Sequence, residues 1–102
     1  MQTYKLLDAV TAPGPGPGVK VDQRTRTFQL VGSTSSGTGS TTVAIEVSNN
    51  NTDWLTHGTI TLTLSTTKAT AGIEMDAPWA YVRGNVTAIS GTGAQASGYM
   101  GV

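Results

Sequence analysis

The segment Gly58–Ser65, GTITLTLS, alternates polar and aliphatic residues without a break. A helix would scatter that pattern around its whole surface. An extended strand turns successive side chains to opposite faces, gathering Ile60, Leu62 and Leu64 on one and Thr59, Thr61 and Thr63 on the other. The same period of two runs through Thr42–Ser48, where Val43, Ile45 and Val47 oppose Ala44, Glu46 and Ser48. It returns at Tyr81, with Val82, Gly84, Val86 and Ala88 against Tyr81, Arg83, Asn85 and Thr87. β-Branched threonine on the outer faces supports a pleat while staying uncharged. No segment has a helical period. Turn signals recur about every 8–12 residues, the signature of an all-β sandwich or barrel. The expectation is a single antiparallel β-sandwich, jelly-roll or another Greek-key, of about seven or eight strands. Its core is expected to hold Val43, Ile45, Val47, Ile60, Leu62, Leu64, Val82 and Val86.

Further strands are expected at Gln2–Leu7, around Val19 and Val21, across Thr27–Leu30 with Phe28 and Leu30 on one side and Thr27 and Gln29 on the other, and at Ile73–Met75. Ser90–Gly93 reads as a glycine-permitted tight turn. Gln95–Val102 then returns as the second arm of a hairpin, with Trp79 covering the core at its mouth. Gly32–Ser40 and Thr66–Gly72 read as loops. Gly32–Ser40 superficially resembles a phosphate-cradling loop, but Thr38 stands where that motif needs lysine. Ala12–Gly18, APGPGPG, excludes helix and disfavours sheet, because each proline fixes φ and removes a donor. It reads as a semi-extended surface loop or an arm lying on a neighbouring subunit.

Charged residues make up 12% of the 102 residues, and the formal net charge is zero, about half the usual charged share. A neutral, threonine-rich β surface has little self-repulsion and favours association. It offers no basic stripe for nucleic acid, and no segment approaches a membrane-spanning length. Residues 1–31 carry a net +2 (four cations, two anions) and the remainder −2 (two cations, four anions), a mild asymmetry between the halves. The chain has no cysteine, which rules out disulfides and thiolate metal sites. Met1–Val10 has no signal-peptide shape, so synthesis and assembly are expected in a cytosol.

Little in the chain is of catalytic type, and neither enzyme activity nor a cofactor is expected. His57 is the single histidine, beside Gly58 in a strand or bulge, and reads as a polar surface residue. Glu74 and Asp76 share a strand face but span no cleft of the kind glycoside hydrolysis needs. The Asn49–Asp53 turn offers oxygens to calcium but only one carboxylate and no EF-hand spacing. Trp54 is expected to fold back on the core edge. Trp54, Trp79, Tyr81 and Arg83 together form the alternative candidate site, a sugar-stacking platform. The candidate partner contacts are Pro13, Pro15, Pro17, Arg24 and Arg26, the two arginines reading as solvated charges at a strand edge.

Two longer runs carry a resemblance. Ile45–Thr63, IEVSNNNTDWLTHGTITLT, followed by Asp76–Ala94, DAPWAYVRGNVTAISGTGA, resembles a class of small tailed-bacteriophage virion proteins. The likeness spans roughly residues 26 to 102, and the two motifs are also similar to those of discoidin-like sandwiches. Asn51 stands where such turns often have glycine, a replacement asparagine tolerates in left-handed φ. The resemblance implies a structural β-sandwich, either a capsid decoration (cement) protein or a tail accessory protein. With the neutral surface, it leads to the expectation of a homotrimer on a phage head, contacting the major capsid protein after assembly in the host cytoplasm. A carbohydrate-binding module is the alternative.

Overall fold

Alternating residues become the two faces of strands along nearly the whole chain. The computed structural model describes residues 2–22, 25–76 and 78–102. These form β1 (Thr3–Val10), β2 (Gly14–Pro15), β3 (Val19–Lys20), β4 (Thr25–Ser33), β5 (Ser36–Ser48), β6 (Leu55–Leu64), β7 (Ala69–Asp76), β8 (Tyr81–Thr92) and β9 (Gln95–Gly101). One sheet has the order β1-β9-β4-β7. The other has the order β2-β8-β5-β6, with β3 also on β8. Every pairing is antiparallel.

The topology follows from treating the chain as one long antiparallel ribbon. β1 pairs with β9, β2 and β3 with β8, β4 with β7, and β5 with β6. Successive pairs of this ribbon fall in opposite sheets. The added pairings β9·β4 and β8·β5 then close each sheet. A ribbon wound in this way is a jelly roll, with β2 and β3 as one interrupted strand. The all-β antiparallel sandwich expected from the alternation is therefore present.

All eight residues expected in the core are buried, none more than 7% exposed. Leu6, Leu7, Phe28, Leu30, Ala96 and Met100 join them from the facing sheet. Leu7 fills a slot made by two missing side chains. A Cβ on Gly84 would lie 3.2 Å from Leu7 Cγ, and one on Gly98 3.5 Å from it. Glycine on the neighbouring strand β9 and on β8 of the facing sheet lets one leucine occupy the space between the sheets.

Several expectations need correction. Gly32–Ser40 is not a loop: β4 runs to Ser33 and β5 starts at Ser36, leaving Thr34–Ser35 as the link. β7 likewise begins at Ala69, so the loop before it is shorter than expected. β8 and β9 are not a hairpin. The chain turns at Gly91–Ala94, with Gly93 at φ 63° and Ala94 N–H bonded to Gly91 O at 3.3 Å, and then crosses to the other sheet. Ala88 does not point inward. Val43 faces Val86 but Thr42 faces Ala88, so Thr87 is an extra residue and the phase reverses. Ala88 is exposed and Ile89 packs on the core instead. Thr41 donates its hydroxyl to Ala88 O at 3.1 Å and Thr87 donates to Thr42 O at 3.2 Å, stitching the bulge.

The Pro/Gly segment is also a strand, contrary to the expectation. Gly14 pairs with Val86 and Pro15 with Asn85, and Gly16 N–H donates to Gly84 O at 2.7 Å. Proline and the strand share a period of two. The glycine N–H groups face β8, and the donor-less proline nitrogens face outward, where an edge strand needs no donor.

Candidate functional site

β8 carries Tyr81, Arg83 and Asn85 on the outer face of its sheet, all half-buried. The antiparallel register places Glu46 of β5 directly beside Arg83. Arg83 Nε donates to Glu46 Oε1 at 2.6 Å and Asn85 Nδ2 donates to Glu46 Oε2 at 3.1 Å. Both carboxylate oxygens are thus engaged, with the Arg83 and Glu46 side chains only 23% and 13% exposed. Partial burial makes such an ion pair firmer than a freely solvated one.

Above this pair lies Trp54. The Arg83 guanidinium sits 4.3 Å from its ring centroid, in cation–π geometry. The turn before β6 sets the ring. Ser48 Oγ accepts from Asn50 and Asn51 N–H, both at 3.1 Å. Asn50 Oδ1 accepts from Thr52 N–H at 3.0 Å and Asp53 N–H at 2.9 Å. Asn51 takes φ 58°, the left-handed conformation anticipated for it. These oxygens already serve the turn's own donors, and Asp53 accepts from Asn50 Nδ2 at 2.9 Å. The arrangement is an Asx turn. Among the described residues no three acidic, histidine or cysteine side chains gather as a metal set.

The opposite edge of the ring faces the Pro/Gly strand. A Cβ on Gly18 would lie 3.1 Å from Trp54 Cη2. Trp54 therefore bridges Gly18 and Arg83 on the outside of the sheet, not on the core edge as expected. Pro15 faces Asn85 across the ladder, so its ring lies on this same outer face. Pro13, Pro15 and Pro17 are all exposed. Pro15 of one candidate set and the Trp54, Tyr81 and Arg83 of the other thus lie on the same outer face of the sheet.

Two candidates do not belong to it. Trp79 packs against the core, as a cap. Arg26 is 1% exposed, not a solvated edge charge, and offers no surface to a partner. Its Nη2 donates to Trp79 O at 2.8 Å and Val21 O at 3.3 Å. Burial lowers its pKa by desolvation, although a guanidinium stays protonated. Arg24 lies outside the described residues. His57 is the extra residue of a second bulge, between Ile45 and Glu46 on the partner strand. It is exposed, with Nε2 3.2 Å from Asp76 O. Glu74 and Asp76 are exposed on one face of β7, an acidic strand end.

Sequence reasoning missed Glu46 and Asn85. The available signal was parity: both occupy outward positions of alternating strands, as Arg83 does. Pairing β5 with β8 was the missing step. What the surface offers is a fixed indole, a held guanidinium and rigid proline rings, features suited to binding. No family model, curated protein or solved structure matches the chain.

Proposed function

We propose that this chain is a structural, non-catalytic protein of a bacteriophage virion. It sits as a homo-oligomer on the outside of the head and bridges neighbouring copies of the major capsid protein. The observation that carries this reading is the placement of Pro15, Trp54, Tyr81 and Arg83 on one outer face of the β2-β8-β5-β6 sheet, with Arg83 stacked on Trp54. Trp, Tyr and Arg dominate the energetic centres of protein interfaces. Here Trp54 and Arg83 are held in place before any partner arrives, which lowers the ordering cost of association. The resemblance of Ile45–Thr63 and Asp76–Ala94 to phage virion proteins supports the same reading. A decoration protein that binds only the assembled shell stabilises it by mass action, with no cofactor required.

The experiment mixes purified protein with undecorated mature heads. Bound protein is measured by sedimentation, and shell stability by the temperature of genome release. The wild type is expected to co-sediment and raise that temperature. A Tyr81→Ala, Pro15→Ser double variant should bind at least about tenfold more weakly, equivalent to about 1.4 kcal/mol, while the isolated domain melts nearly as before. A wild type that ignores heads, or a reconstruction placing it in the tail or baseplate, would overturn the decoration reading.

The same Trp54–Arg83 stack also favours a carbohydrate-binding module, since indole faces bind sugar rings. Arg83 already covers one face of Trp54, so a sugar would have to use the other. Specific signals on a glycan array, lost in Trp54→Ala with the fold retained, would select this alternative.

A further inference from the structure

We propose that the open edge of β6 pairs antiparallel with the same edge of a second copy, joining two sheets across a two-fold axis. This deepens the homo-oligomeric part of the reading above and does not depend on a virion. The four sheet edges differ in how they are protected. On the β2 edge, prolines at 13, 15 and 17 remove outward donors. On the β1 edge, two register shifts break the strand, Ala9 takes φ 47°, and Lys5 and Asp8 add charge. The β7 edge carries Glu74 and Asp76 and has Gly72 in its middle. β6 has none of these devices from Thr59 to Leu64.

Along Thr59–Leu64, TITLTL, there is no charge, no proline, no glycine and no register shift. Among the described residues β6 pairs with β5 on one side only, so alternate residues turn their N–H and C=O groups away from the sheet. Near Gly58 the side chains of Ile73 and Met75 lie against the strand, which places the free stretch beyond it. The residues at this edge also identify the partner. Directly opposed residues share a sheet face, so self-pairing must place threonine on threonine and aliphatic on aliphatic. Of the antiparallel registers that do so, two engage most of the stretch. Centred on Thr61, Thr59 faces Thr63 and Ile60 faces Leu62. Centred on Leu62, Thr61 faces Thr63 and Ile60 faces Leu64. Threonine pairs across strands are favourable, and no like charges meet. The same patch on both subunits gives an isologous contact and therefore a dimer, in place of the trimer expected from the sequence.

The test uses the free protein with no capsid present, so its failure leaves the head-binding reading intact. Sedimentation equilibrium in the high micromolar range should give twice the chain's 10.5 kDa. Thr61 and Thr63 are exposed, so the double variant Thr61→Lys, Thr63→Lys, which opposes like charges in both registers, should keep the circular dichroism melt and sediment as monomer, while Thr61→Gln remains dimeric. Mixing the double lysine variant with the Thr61→Glu, Thr63→Glu double variant should recover the dimer. The chain has no native thiol, which makes single cysteines clean reporters. With copper phenanthroline as oxidant, Thr61→Cys alone should cross-link in the Thr61-centred register. A mixture of Thr61→Cys and Thr63→Cys should do so in the Leu62-centred one. Gln29→Cys, on the other sheet, should not. A monomeric wild type, a dimer unmoved by the double lysine variant, or no cross-link from either cysteine arrangement would overturn the proposal.

Discussion

Arg26 illustrates how far a single residue could be understood before its neighbours were known. Its charge led to its reading as a solvated strand edge, although Arg26 shares the parity of Phe28 and Leu30. In the fold it is buried, and its guanidinium holds the carbonyls of Val21 and Trp79 at the end of the sandwich. No local pattern reveals those acceptors, because Trp79 lies 53 residues away. The consequence is measurable. Arg26→Met keeps an unbranched apolar stem but removes the donors, and a buried carbonyl left without its hydrogen bond costs about 1–3 kcal/mol. Urea unfolding should show a loss of roughly 3 kcal/mol, a large share of the 5–15 kcal/mol typical of a domain. An unchanged midpoint would mean that water or a side-chain shift replaces the guanidinium. Trp54 was misplaced for a related reason: its position depends on Arg83, which reaches it only once β5 and β8 have paired.

Strands were legible where one face was aliphatic and the other polar, as in β6 and the middle of β5. They were illegible where composition mimicked a loop. Ser36–Ser40 has no aliphatic residue, yet it extends β5 because Leu64 and Ser90 supply partners. Prolines likewise hid β2, although their spacing of two is what lets glycine donors face β8. This gives the segment a different physical character from a free arm. Its stability should depend more on its glycines than on its prolines. A Cβ on Gly16 would collide with the Leu6 carbonyl oxygen and crowd Leu7. Gly16→Ala is therefore expected to destabilise by about 1–3 kcal/mol, the usual range for overpacking. Replacing Pro13, Pro15 and Pro17 with serine should cost no more than about 1 kcal/mol each, chiefly through greater freedom of the unfolded chain. Thermal melts of the two variants compare these effects directly. A larger loss from the proline replacements would show that the segment is held by its own stiffness rather than by β8.

At the scale of the whole molecule, fold class was legible and strand pairing was not. Periodicity is a local property and reports which residues face inward. A jelly roll, by contrast, is defined by partners distant in the chain, and β5–β6 is its one simple hairpin among the described strands. Such non-local topologies fold in about milliseconds to seconds, and refolding followed by tryptophan fluorescence should fall in that range. The position of β9 adds a constraint on biosynthesis. It is the last strand in chain order, yet it lies between β1 and β4, both made much earlier. While the ribosome is still translating, those two strands have nothing between them, and their facing edges stay open to whatever else is nearby. Protease resistance of arrested nascent chains should thus arise late, once Gly101 has cleared the exit tunnel. Until then the emerging polypeptide needs protection from a chaperone or from dilution.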